Sequence, residues 1–196
     1  MVVADVQAVD RERCLILSSL ASVQAPMHRS LFRDPFDLAI WHALSEEGRI
    51  HVAGTVRTDA LPFDPMRRRS SVLVTWEEKT QLVVRGAYEE VVNQCTDIDE
   101  AEKAQLMEWG SKRGKEGKRI LAVATRALPR YKTIRPELET KLTFVGLISF
   151  IDPLKKSAIK TIADARALGI TVKILTGDGR DVAGAVAKSE IGRAHV

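Results

Sequence analysis

The C-terminal part of the chain places the strongest restriction on what it can fold into. Phe144–Ile151 is a mostly apolar run of strand length. Asp152-Pro153 then opens a helical pattern with apolar positions Leu154, Ala158, Ile159, Ile162, Ala165 and Leu168, closed by Gly169. Ile170–Leu175 reads as a second strand and Arg180–Lys188 as a second helix. Strand–helix–strand–helix at this spacing predicts a βαβ unit, hence a parallel sheet with a right-handed crossover. Ligands of such sheets sit beyond the C-terminal strand ends, where both Asp152 and Thr176-Gly177-Asp178 fall. Two strands cannot bury both faces of a sheet, so the unit reads as part of a larger α/β domain.

Thr176 offers a hydroxyl, Gly177 lets backbone N–H groups approach a ligand, and Asp178 can hold a metal directly or through water. Taken alone, the same residues also describe a plain strand-to-helix turn in which Asp178 caps the helix. Asp152 is likewise either a helix start or a neighbour of that loop.

The first part of the chain has another character. Arg11–Val23 is a predicted helix buried through Cys14, Leu15, Leu17, Leu20 and Ala21. Asp34 caps a second, with Pro35 in its first turn, Phe36, Ile40 and Leu44 on its buried stripe, and Gly48 at its end. Ser70–Trp76 and Leu82–Val84 read as strands joined by a charged turn, and Tyr88–Cys95 and Ile98–Trp109 as helices. Gly110–Lys118 reads as a loop and Arg119–Leu128 as an apolar strand. Pro129–Thr140 has no period and reads as a connection between domains. The expected fold class is therefore α/β: a mixed α+β domain over 1–135, then part of a parallel α/β domain over 136–190.

Three stretches of the first domain could touch a ligand. In "LPFDPMRRRSSVLV", Phe63 stands beside Arg67, Arg68 and Arg69, an aromatic face and cations able to take a purine and its phosphates. The ordinary alternative is a core Phe with a solvated basic turn. In "LVVRGAYEEVV", Gly86 permits close approach and Arg85 could cover a base or a phosphate. Asp37 sits near a helix N-terminus, where a carboxylate is favoured on a solvated face without any ligand.

Composition narrows the partners. The chain has 196 residues with a net charge of +4, and 5% are aromatic, so there is no interleaved aromatic–basic pattern for stacking bases and nucleic acid is not expected. Cys14 and Cys95 have no metal-ligand spacing and read as reduced thiols. No apolar run reaches the ~20 residues that span a bilayer.

In order along the chain, "DPFDLAI", "PFDPMRRRSSVLV", "VRGAYEEVVNQC", "KRILAVATRAL" and "GLISFIDPLKKSAIKTIADARALGITVKILTGD" resemble the cytoplasmic region of P-type cation-transporting ATPases. The last of these, with "LAVATRALP", is most similar to the magnesium-transporting branch. The resemblance implies a nucleotide-binding domain followed by the start of a haloacid dehalogenase-like phosphorylation domain. It implies ATP and Mg²⁺ as cofactors, an inorganic cation as cargo, and a multi-pass membrane protein of which this segment faces the cytoplasm. It also implies roles: Phe63 stacks on adenine, Asp37 lies near the adenine, Arg68 falls on a basic position of the FDP segment, and Arg119 contacts phosphates. Arg85 stands where the family has the Lys of a KGA motif, with Gly86 next to it. Thr176, Gly177, Asp178 and Asp152 would support the transferred phosphoryl group, Asp178 as an indirect Mg²⁺ contact.

The departures matter as much. The family's DKTGT motif, which carries the phosphorylated Asp, is absent, as are its later Lys and its GDGxND motif; Thr176–Gly179 is followed by Arg180-Asp181. The chain is therefore expected to be a fragment that does not turn ATP over by itself. The final "IGRAHV", residues 191–196, reverse-translates to a common sequencing-adapter sequence and is expected to be adapter-derived. Two other readings remain: a non-enzymatic nucleotide-binding module, and a soluble haloacid dehalogenase-like phosphatase, which would lack its own N-terminal Asp motif.

Overall fold

Continuous apolar runs alternate their side chains across a sheet, and here both sides are covered. The structure, a computed structural model, describes residues 1–22, 34–76, 79–128, 132–152, 161, 164–165 and 167–170. Its elements are β1 (Val2–Ala8), α1 (Arg11–Leu20), α2 (Pro35–Ala43), α3 (Glu46–Gly54), β2 (Val56–Asp64), β3 (Arg69–Trp76), β4 (Lys79–Ala87), α4 (Tyr88–Asn93), α5 (Glu100–Lys115), β5 (Arg119–Ala127), a 3₁₀ turn (Pro136–Leu138) and β6 (Thr143–Ile151). The six strands form one sheet in the order β1-β6-β5-β4-β3-β2, every pairing antiparallel.

Alternation along the strands sorts the core into two layers. On one face Val72, Val74, Val83, Val123, Ile148 and Phe150 pack with Leu15, Leu17, Leu20 and Ile40 of α1 and α2. On the other, Leu73, Leu82, Val84, Ala122, Ala124 and Leu147 pack with Val91, Val92 and the apolar side of α5. Asp10, Asp34, Ser45 and Asp99 each cap a helix by accepting from a backbone N–H, worth about 1 kcal/mol apiece.

The mixed α+β reading of the first part stands, but its extent changes. Phe144–Ile151, expected to open a parallel sheet, instead lies between β1 and β5 as an antiparallel strand, with Phe150 opposite Arg119 and Val3. The isolated bridge Cys95–Leu142 is the one parallel pairing among the described residues. Of the rest of the expected βαβ unit, residues 161, 164, 165 and 167 are helical and Gly169 has φ of 75° in the turn that follows; residues 171–175, Thr176-Gly177-Asp178 and the tail 191–196 lie outside the described residues.

Three smaller expectations also change. Gly48 does not end α2, which stops at Ala43; it lies inside α3, its N–H donating to the capping Ser45 hydroxyl at 2.9 Å. The stretch from Gly110 is not loop but the continuation of α5 to Lys115, with Gly110 packed under Tyr88 where a Cβ would collide with the ring. The connection Pro129–Thr140 is tied down where it is described. Ile134 N–H donates to Asp59 at 2.6 Å, Arg126 donates to the carbonyls of Leu138 and Thr140, and Glu139 is completely buried.

Candidate functional site

Three stretches far apart in sequence meet at one end of the sheet. The end of β4 brings in Arg85 and Gly86, the end of β2 brings in Phe63, and the start of α2 brings in Asp34 and Phe36. With Ser70 and Leu121 these line a cavity of about 220 Å³. Phe63 is 61% exposed, so its ring is free to receive a flat ligand. Phe36 meets Phe150 edge-to-face at 4.9 Å, which fixes that wall.

The floor is charged. Arg85 Nη1 donates to Asp37 Oδ1 at 2.6 Å and to the Ser18 carbonyl at 3.1 Å, and Ser22 Oγ donates to the other Asp37 oxygen. Arg57, from β2, reaches the Ser19 carbonyl at 3.3 Å. Burial holds its guanidinium below the usual arginine range; Asp37 opposes that shift and Arg85 adds to it. Asp37 is therefore a buried counter-ion rather than a solvated dipole partner, and Arg85, 7% exposed, has its charge engaged from below.

Gly86 is required for a reason other than ligand approach. A Cβ there would lie 2.5 Å from the Arg68 carbonyl, because the turn after β2 crosses β4 at this point, and Ala87 N–H donates to that same carbonyl at 2.9 Å. Arg68 itself has φ of 51°, in the left-handed region, and its half-exposed guanidinium stands 3.7 Å from Glu89 and from Glu90.

The basic triplet does not act as one cluster. Arg67 Nη1 donates to both Glu139 oxygens at 2.6 and 2.7 Å, Arg69 Nε to Oε2 at 2.8 Å, and Ser71 Oγ to Oε1 at 2.8 Å. Neither the solvated turn nor a three-arginine phosphate clamp describes this arrangement. Arg119 opens β5 on the face of Leu121, two residues before that cavity-lining side chain, and is half-buried. Asp152 follows β6 with its side chain 70% exposed, 3.0 Å from the Met1 amino group, and does not line the cavity.

Of the residues singled out in the sequence, Phe63, Arg85 and Gly86 line the cavity, Asp37 lies behind it bonded to Arg85, and Arg68, Arg119 and Asp152 stand outside the lining. Sequence reasoning missed Arg57, Ser22 and Glu139. Arg57 lies in a strand that was not recognised, and Glu139 in a stretch without period. No group of three His, Cys, Asp or Glu among the described residues could hold a metal ion.

An exposed aromatic over a polar-floored cavity in a mixed sheet-and-helix domain has the form of a small-molecule site. The profile of "P-type ATPase, cytoplasmic domain N" matches residues 13–157, and the chain belongs to that family. It is 36% identical over 191 residues to a magnesium-transporting ATPase, P-type 1, of Salmonella typhimurium, covering 89% of this chain and 20% of that protein. The Escherichia coli K12 protein of the same name is 35% identical over 162 residues, 76% of this chain and 18% of that one. Calcium-transporting ATPase 1 of Bacillus cereus is 31% identical over 148 residues, 71% of this chain and 17% of that one. The chain thus spans about a fifth of the length of these relatives.

Proposed function

We propose that this domain holds the base of ATP against Phe63 and delivers the triphosphate to a second domain, in a protein that couples ATP hydrolysis to movement of an inorganic cation across a membrane. The observation that carries the reading is the exposed Phe63 ring at the mouth of a cavity whose floor is the Arg85–Asp37 pair, in a chain of the P-type ATPase family. The names of the relatives make magnesium the favoured cargo, with calcium the alternative.

In this reading Arg85 does not grip a phosphate. Pinned by Asp37, it forms a fixed cationic floor under the base, and Gly86 lets the turn bearing Arg68 close down beside it. Arg119 would meet the phosphates as they leave the cavity on the Leu121 side. Thr176, Gly177 and Asp178, supported by Asp152, steady the γ-phosphoryl group as it passes to an aspartate that this sequence does not contain. Asp178 would be the indirect contact of Mg²⁺, which would supply charge neutralisation at the phosphates. The segment beyond residue 152 would begin the haloacid dehalogenase-like domain, and the cytoplasmic face of a membrane is the proposed location.

Phe63→Ala tests the binding step. Because the ring is exposed, the fold should be retained while ATP affinity, titrated by NMR or calorimetry, falls about tenfold or more, consistent with ~1–3 kcal/mol for stacking of one base. Undiminished affinity in a folded variant overturns the assignment of the cavity.

A further inference from the structure

Glu139 is the most completely enclosed acid among the described residues, and no step of the proposed ATP chemistry uses it. Its carboxylate collects four hydrogen bonds, two from Arg67 and one each from Arg69 and Ser71. Arg67 and Arg69 flank Arg68, whose carbonyl accepts from Ala87 N–H and crowds Gly86, a cavity-lining residue. Arg67 also donates to the Pro62 carbonyl at 2.9 Å, immediately before Phe63. An unbroken set of contacts therefore runs from the connection between β5 and β6 to both the platform and the wall of the cavity.

From this geometry we infer that Glu139 is a positioning residue for the nucleotide site: its carboxylate fixes the turn after β2, and through the Pro62 and Arg68 backbone sets where the Phe63 ring stands. The inference rests on the proposed role of Phe63. Within the turn Asp64 accepts from Met66, Arg67 and Arg68 N–H, and Ala87 N–H ties the Arg68 carbonyl to β4; Glu139 adds the side-chain tie from this turn to the β5–β6 connection. The turn is anchored to the sheet from the opposite side to the cavity, since Ser71 and Leu73 alternate away from Ser70 on β3.

The anchor also makes the β5–β6 connection part of the site. The same connection is fastened by Ile134 to Asp59 of β2 and by Leu138 and Thr140 to Arg126 of β5. Whatever displaces residues 132–142 acts on Phe63 through Glu139, and by reciprocity ATP stacked on Phe63 holds that connection in place.

A double-mutant cycle separates positioning from mere stability. ATP affinity is titrated by NMR on the native chain, Glu139→Gln, Phe63→Leu and the double variant, with a thermal melt of each. The expectation is a loss of about tenfold for Glu139→Gln in the native background and less than about twofold in the Phe63→Leu background, with the same fall in melting temperature in both. Equal loss in both backgrounds, or none in the native one, overturns the inference. If Phe63→Leu alone leaves affinity unchanged, the site assignment itself fails and the inference goes with it. Should Glu139→Gln not fold, Arg67→Gln replaces it in the same cycle, since it removes two of the four bonds and leaves Arg69 and Ser71 on the carboxylate; the same two outcomes decide.

Discussion

The two faces of the sheet carry the same chemical device to different ends. On one, Asp37 is sandwiched by Arg85 and Ser22 with Arg57 close by; on the other, Glu139 is held by Arg67, Arg69 and Ser71. Both are acids taken out of water and compensated by arginine, an arrangement whose desolvation cost is only repaid when every oxygen is bonded. The Asp37 cluster lies under a cavity and keeps a polar floor there. The Glu139 cluster joins a turn to a distant connection. Burial and pairing alone therefore do not mark a site; an adjoining space with an exposed aromatic does.

The comparison can be broken most directly through stability. Glu139→Ala should cost about 3–5 kcal/mol, because two guanidinium groups and a hydroxyl lose their acceptor at once. Asp37→Ala should cost less, about 2–4 kcal/mol, since Arg85 and Arg57 keep the carbonyls of Ser18 and Ser19. Urea unfolding of both variants tests the order, and a larger loss at Asp37 would overturn the reading of Glu139 as the stronger of the two anchors.

A third acid–base group supplies the smallest effect. Asp5 of β1 accepts from Lys118 at 2.9 Å, with Arg113 at 3.6 Å and Ser149 nearby, but 40% of its side chain is exposed. The Lys118 hydrogen bond, partly offset by burial, holds its carboxyl below the ordinary aspartate value. A group depressed in the folded state contributes stability above its unfolded pKa and loses it as pH falls through the folded value. The stability gap between the native chain and Asp5→Asn should thus be small at neutral pH, shrink further in salt, and close on acidification as the carboxylate takes up its proton. A gap that persists in acid would show that Asp5 acts by packing rather than by charge.

Much of the site was legible and the sheet was half legible. β3 and β5 announced themselves as apolar runs; Phe63 was singled out beside a basic triplet, Arg85 and Gly86 at the end of a strand, and Asp37 near a helix start. β6 misled for a physical reason: a run buried on both faces is the mark of a parallel strand in an α/β sheet, yet a central antiparallel strand covered by helices on both sides looks the same. The edge strands were missed because each is diluted by polar residues, β2 further by Pro62, a residue tolerated at an edge. Glu139 could not be read at all. Its partners lie about seventy positions earlier, and nothing local separates a buried Glu from an exposed one.

The pairing of the first strand with the last has a consequence in time. β2, β3 and β4 follow each other in sequence and can zip as neighbours, whereas β1 must find β6 across nearly the whole described chain, Val2 against Ile151. Closing so long a loop costs entropy that only the finished β5–β6 surface can offset. β1 is expected to be the last strand to join and the first to leave, and its amides should exchange with solvent before those of β3 and β4 do. A sheet that looks continuous in space would then be assembled from one edge toward the other.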